Sequence, residues 1–443
     1  MQKRVIKSFI WTILVSFALS WQIAPARASI ADCKIKNLDN VSHQEVGWPR
    51  DPDTLPSKGK VKFLILAVDF EDSPASNFKV SELPNRLQLA TVSGFYNAVS
   101  NEIFQPIFDL YPSVVRLPKN SEKYGDSASS DVLVGNEYAS HLITHDALNQ
   151  IESKLDINQF LAVIVVVTGG HSLSGQVALA LSTDHVPEDK VPGNINNEIV
   201  LGEKSLDNQD IYEWRVIVHE INHLLGIPDL YLYSKDGYWQ AKTPGPFGQL
   251  GYLRGESSSD SLAYNRWIRG WLAESQVLCV KNLISSKTFQ IQQQKINSGK
   301  YELILYRISD TKVIAFESPR NKGFASSTYP NSILIYSIDS EIPVGEGPVR
   351  LIAKVNATTS KPLSPSLPDW ERFKTAALLP GDWVKFQGMV FVNKPLKTIE
   401  KYVDLAILTG KDANPTTITC VKKGLKLKKT GYFLNCPTGY TQI

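Results

Sequence analysis

The stretch Val216-Ile-Val-His-Glu-Ile-Asn-His-Leu-Leu-Gly-Ile-Pro-Asp-Leu-Tyr231 constrains the fold of this chain more than any other. His219 and His223 are four residues apart, so on a helix both imidazoles leave the same face and can meet one metal ion. Glu220 sits beside them, free to hold a metal-bound water, which is the division of labour in the HExxH zinc motif. Gly226 stands where a helix ends on a left-handed residue, and Pro228 forbids continuation. The chain must therefore turn, and Asp229 is the first metal-capable side chain after the turn. Two imidazoles and one carboxylate leave a tetrahedral ion one open position, the mark of a catalytic rather than a structural site. The helix is supported by a stripe of Ile211, Trp214, Val218, Ile221 and Leu225. Asp207 or Asp210 would cap its start, Asp210 forming a capping box with Glu213.

A chain of 443 residues, 43% hydrophobic and 21% charged, has room for two or three domains with real cores. Residues 1–28 read as a signal peptide. Lys3, Arg4 and Lys7 precede the apolar run Phe9 to Leu19, and Ala26-Arg27-Ala28 ends in a cleavage site. Export with cleavage after Ala28 makes a secreted, extracellular protein the expectation. Losing Lys3, Arg4, Lys7 and Arg27 takes the formal charge from +3 to −1. That balance gives no reason to expect nucleic acid or, once the signal is gone, a membrane as partner. Four cysteines in an exported chain read as disulfides. Cys420–Cys436 is the local pair and Cys33–Cys279 the remaining one, among three possible connectivities. Cys33 could instead block the metal as a latency switch.

Residues 29–60 are polar and proline-rich and read as an irregular lead-in. Val61 to Val68 and Leu161 to Val167 are continuous apolar runs, the pattern of strands buried on both faces. Residues 86–101 and 136–154 read as helices, and 104–117 as a strand pair broken at Pro106 and Pro112. Ile195 to Glu203 reads as a strand just ahead of the metal helix, placed to pair with an extended substrate if it forms a sheet edge. From Cys279 onward, short strands separated by turns dominate, the signature of an all-β sandwich. The expected fold is thus an α+β domain over 61–278, a mixed sheet with an active-site helix, followed by an all-β sandwich over 279–410. Residues 411–443 read as a linker and a disulfide-closed basic hairpin.

The motif HEINHLLGIPDLY resembles that of the M6 family of secreted bacterial metalloproteases, the immune-inhibitor-A-like group of the metzincin class. Weaker echoes are Ala67-Val68-Asp69-Phe70, Phe95-Tyr96 with Val99-Ser100, and Ala263-Tyr264 to Gly270-Trp271-Leu272, so the resemblance spans 61 to 275. It implies a zincin/metzincin-like catalytic domain, and the sandwich fits that family's architecture. Metzincins carry a methionine turn beneath the metal, and here Leu250 stands where that Met belongs, a swap that keeps volume and apolarity. By the same resemblance Tyr252 could bond the transition-state oxyanion, with aromatic packing as the alternative.

The function expected from these residues is a secreted zinc-dependent endopeptidase. Zn2+ would be held by His219, His223 and Asp229, and Glu220 would act as general base on the attacking water. Protein or peptide chains are the expected substrates and a monomer the expected state. Two alternatives remain: a catalytically silent zinc-containing binding protein, and a serine hydrolase using Ser172 in Gly170-His171-Ser172-Leu173-Ser174. The latter lacks the second glycine of a nucleophile elbow and any His downstream of His223. His141 and His145 form a second pair four apart, read as a solvated helix face. Asp184, Glu188 and Asp189, or Asp339, Glu341 and Glu346, could hold Ca2+ but show no EF-hand spacing. Lys422, Lys423, Lys426, Lys428 and Lys429 resemble the Lys-rich tail of exported actinobacterial proteins. They could touch an anionic cell-wall polymer, or serve only solubility.

Overall fold

The computed structural model describes residues 28–38, 44–124, 134–169, 179–182, 192–193, 195–207, 213–233, 244, 247–251, 261–292, 301–319, 331–352, 376–395 and 402–443. It is a mixed α/β structure with few helices. The first sheet contains β1 (Gly59–Asp69), β2 (Phe104–Leu110), β3 (Val115–Arg116), β4 (Ala162–Val167), β5 (Leu179–Ser182) and β6 (Asn197–Gly202). Its order is β2-β1-β4-β6-β5, with β3 also paired to β1. Every pairing is parallel except β5 with β6. The helices are α1 (Leu83–Arg86), α2 (Leu89–Ser100), α3 (Val134–Ile151), α4 (Glu213–Leu224) and α5 (Ala263–Ile268).

Parallel strands need crossovers that cover both faces, which is why β4 and the Phe63–Val68 part of β1 are apolar at every position. Val61, Phe63, Ile65 and Ala67 of β1 pack with Val92, Phe95, Tyr96 and Val99 of α2 and Ile217, Val218 and Ile221 of α4. Leu64, Leu66 and Val68 turn the other way, onto Ile143, Ala147, Leu148 and Ile151 of α3. Pro106 does not break its strand: it lies inside β2 opposite Val61. β2 is the edge of this sheet, so the missing amide costs no ladder bond on its open side. The strand before the metal helix is not an edge, contrary to the sequence expectation. β6 lies between β4 and β5 with every residue buried, and the short antiparallel β5 takes the edge instead.

Downstream, β7 (Val277–Val280), β8 (Lys287–Gln292), β9 (Leu303–Arg307), β10 (Lys312–Glu317), β11 (Leu334–Asp339) and β12 (Val349–Leu351) are followed by β13 (Trp383–Phe386), β14 (Met389–Asn393) and β15 (Tyr402–Leu408). They form one sheet of order β12-β11-β10-β9-β7 and another of order β13-β14-β15-β8. Ile304, Ile314, Phe316 and Ile335 of the first share an apolar cluster with Val384, Phe391, Leu405 and Ile407 of the second. The opposite face of the first, with Leu303, Leu305, Val313, Ala315 and Tyr336, packs on Tyr264, Trp267 and Ile268 of α5. A small sheet of β16 (Thr416–Lys422), β17 (Leu425–Gly431) and β18 (Thr441–Gln442) closes the chain. No helix among the described residues is long and apolar enough to cross a membrane.

The lead-in before β1 is built into the structure. Cys33 is bonded to Cys279 at the start of the β-rich region, and Cys420 to Cys436, the pairing expected. Cys33 is therefore no latency switch, because its sulfur is committed to the disulfide. Trp48 lies 4.6 Å from the ring of Trp267, and Tyr264 Oη donates to Val46 O at 2.7 Å. Arg50 donates to the carbonyls of Glu45, Leu225 and Gly226, and Leu55 N donates to Leu224 O at 2.8 Å. The carbonyls at the end of α4, which no helix can satisfy internally, thus find donors in this lead-in. Burial lowers the Arg50 guanidinium to about 10, which leaves it charged at neutral pH. Replacing Arg50 with alanine strands these carbonyls. The Arg50→Ala chain should unfold at lower urea concentration, with a loss of about 2–3 kcal/mol.

Candidate metal centre

α4 carries two of the expected ligands on the face it turns away from the sheet, and its end creates the third. Gly226 adopts φ +77°, its amide bonds His223 O at 2.7 Å, and Ile227 N bonds Asn222 O at 3.0 Å. This is a Schellman cap, which needs a residue free of a Cβ penalty at its left-handed position. The reversal returns the chain beneath the helix, where Leu230 N bonds Leu250 O at 2.9 Å. Leu250 is buried with Ile227, Leu230 and Leu262, so the residue at the expected methionine position fills an apolar floor.

The arrangement brings three donor atoms together. His219 Nε2 and His223 Nε2 are 3.0 Å apart, and Asp229 Oδ1 is 3.1 Å from the first and 3.4 Å from the second. Donor atoms at about 2.1 Å from a tetrahedral dication lie about 3.4 Å from each other, so this triangle has the size of one face of a coordination shell. Asp229 Oδ1 is buried and, among the described residues, is met by the two imidazole Nε2 atoms, a setting that suits a shared cation. His219, His223 and Asp229 thus form a group that could hold a metal ion, and it stands alone in this among the described residues.

The surroundings orient the three candidate ligands. His223 Nδ1 lies 2.9 Å from the Ile227 carbonyl, which in the neutral ring leaves Nε2 with the lone pair. The helix cap therefore also sets the tautomer of a ligand. His219, whose Nδ1 has no hydrogen-bond partner among the described residues, stacks on Tyr231 with ring centroids 6.3 Å apart. Tyr233 Oη donates to Asp229 Oδ2 at 2.7 Å. Tyr231 bonds the same carboxylate, and burial beside that charge raises both phenols far above their ordinary range. Tyr233 is held in turn by the β-rich region. Its amide bonds Gly345 O at 2.9 Å, and Leu232 bridges Glu346. Gly345, at φ +80°, has the Tyr233 ring where a Cβ would stand, only 2.1 Å away. Sequence reasoning missed this support, because nothing local marks a glycine so distant in sequence as a neighbour of Tyr233.

Glu220 is buried beside the ligands, and burial pushes its carboxyl up, opposed by the two imidazoles and by the amide of Ala180 in β5. A buried carboxyl next to a metal-capable triad is placed to exchange protons with a group held there. Burial works against the charge on His223, but Asp229 outweighs it and raises the imidazole to about 9. Asp229 is desolvated too, yet the two histidines hold it well below the usual carboxylate range.

The other candidates stand apart. His141 is buried, not solvated: it packs against Glu198 of β6, Nδ1 to Oε1 3.5 Å, because that side of α3 covers the sheet. His145 contacts Asp146 at 3.2 Å. Asp339 pairs with Lys312 at 2.9 Å and Glu341 accepts from Thr311, so these carboxylates are occupied by protein donors. Ser172 with its neighbours, Tyr252, residues 1–27, and the acidic group Asp184, Glu188 and Asp189 lie outside the described residues.

Two outcomes follow from this geometry. His223 is protonated at pH 7 and must lose that proton to become a ligand. Metal titration across buffers of different ionisation enthalpy should show about one proton released at pH 7. Apparent affinity should rise about tenfold per pH unit between 6 and 8, on the way to a plateau above the His223 value. Without metal the sign reverses: the His223–Asp229 pair stabilises the fold below about pH 6.5 and that contribution fades as pH rises through 9. Secondly, Tyr233→Phe and Gly345→Val should each weaken metal binding by about tenfold in equilibrium dialysis while the other ligand contacts persist.

No family model matches this chain, and no curated protein does. Among solved structures it is similar to metalloproteinase-II from Bacteroides fragilis, with 12% identity and a TM-score of 0.26. The match covers 49% of this chain and 53% of that one, so the chain spans about half the length of that protein. A likeness this loose says nothing about chemistry, which rests on the residues above.

Proposed function

We propose that this protein is a secreted zinc-dependent endopeptidase of the zincin/metzincin type. The observation that carries the reading is the convergence of His219 Nε2, His223 Nε2 and Asp229 Oδ1, with the buried Glu220 carboxyl beside them. Nitrogen, nitrogen and oxygen donors in a closed triangle favour zinc, and three protein ligands leave a position open for chemistry. Zinc held by His219, His223 and Asp229 would supply a Lewis acid for a substrate carbonyl and lower the pKa of a water beside it.

The chain's own residues supply the rest. Glu220 accepts the proton of the attacking water and returns it to the departing amine, a double role that its raised pKa favours. Tyr233 and Tyr231 hold the Asp229 carboxylate, and the Ile227 carbonyl holds the His223 ring. β5 is the edge strand of the sheet and its Ala180 amide reaches Glu220, so a substrate chain pairing with that edge in extended form would run past the base. In this reading residues 61–278 are the catalytic domain, and 279–410 a β-sandwich that buttresses it through Gly345. The two disulfides are consistent with an extracellular setting.

The test is zinc content and casein cleavage for the chain from Ser29 onward, beside Glu220→Ala. Stoichiometric zinc in both, with cleavage reduced about a thousandfold in the variant, is expected. Zinc without cleavage in either would make the protein a silent zinc-containing binder. Cleavage that survives Glu220→Ala would remove Glu220 from the mechanism.

A further inference from the structure

We propose that the small C-terminal sheet is a docking surface for an anionic lipid membrane. The sheet is tied to the rest of the molecule at one end. There Tyr432 packs on Trp383 at 5.2 Å and donates to Ala413 O at 2.6 Å, in a cluster with Val390, Val392 and Leu408. From that anchor β16 runs outward for seven residues, about 20 Å. It turns at Lys423 (φ 46°) and Gly424 (φ 80°), the two left-handed residues of a tight hairpin, and comes back as β17. The Cys420–Cys436 disulfide fastens the following loop to the middle of β16. The result is a stiff projection whose tip is Lys422-Lys423-Gly424-Leu425-Lys426.

Two properties of that projection coincide. Residues 415–443 contain five lysines and no acidic side chain, in a chain whose overall charge is close to balanced. None of the five makes an ion pair with a described residue; Lys429 bonds the Asn435 carbonyl and Lys422 lies over the Tyr440 ring. The same unit also exposes Leu425 (67%), Leu427 (41%), Phe433 (40%) and Ile443 (72%), four of the eight large apolar side chains that stand exposed among the described residues. Lysines for solubility would not need exposed leucines between them, and a soluble anionic polymer would be met by the lysines alone. Lysine and leucine together at a hairpin tip suit a surface with anionic headgroups and apolar depth beneath them. Each lysine near such a surface strengthens partitioning about fivefold, an effect that salt screens.

The experiment is vesicle flotation of the full chain from Ser29 onward, with zinc bound. One set of vesicles is pure phosphatidylcholine and the other contains about 30% phosphatidylglycerol. Lys426→Glu/Lys428→Glu and Leu425→Ser/Leu427→Ser are compared with the parent, all four positions being exposed. Binding to the anionic vesicles should exceed binding to the neutral ones by at least about tenfold and fall with salt. The charge variant should lose that preference, and the leucine variant should bind several-fold more weakly with an unchanged salt dependence. Unaltered thermal unfolding shows that both variants are folded. Absent flotation, equal binding to both vesicle types, or full binding by the leucine variant would each overturn the proposal. Retention on heparin without flotation would do the same and assign the surface to a soluble polyanion.

Discussion

The site depends on one reversal of the chain, where α4 stops and Gly226 turns the backbone through a left-handed conformation. Without it Asp229 would continue along the helix axis, away from the two imidazoles. The turn does three things at once. It satisfies the last helix amides and carbonyls, it offers the Ile227 carbonyl to His223, and it delivers a carboxylate to the face that α4 turns away from the sheet. A Cβ at Gly226 would strain the turn itself.

That reversal is braced from several directions, each remote in sequence. The Arg50 segment caps it from the N-terminal side, and Tyr96 of α2 donates to Val218 O at 2.9 Å in the middle of the helix. Asn222 is fixed by the Arg269 guanidinium, which also bonds Ser261 and lies 3.8 Å over the Trp271 ring. Asn222 bonds Val218 O as well, so its amide is satisfied on both ends. A helix end held by this many buried polar contacts has little freedom to fray, which keeps the donor triangle small.

Much of this was legible in the chain. The helix, its stop, the meeting of His219, His223 and Asp229, and the buried strands follow from local rules: four-residue spacing, the needs of a left-handed cap, and continuous apolar runs. The failures share a cause. Pro106 was read as a strand break because the sequence does not say that β2 is an edge, where a missing amide is harmless. The sequence leaves β6 free to be an edge because nothing marks Leu179–Ser182 as the strand that turns back outside it. His141 looked solvated because helix spacing does not reveal that β6 lies against that face. Arg50 and Gly345 had no signal at all, since each acts only through a partner that chain order keeps far away. Short-range chemistry sets local conformation, whereas tertiary neighbours decide who touches whom.

The contact between Tyr233 and the backbone of Gly345 also orders events in time. The ligands are complete once Asp229 has been synthesised, but the tyrosine that clamps its carboxylate has nothing to lean on until a loop between β11 and β12 emerges much later. A growing chain therefore passes through a long interval in which the triad exists without its clamp. The Asp229 carboxylate gains that support only when the β-rich region has been made and has docked. The order of synthesis thus places the clamp well after the side chains it holds.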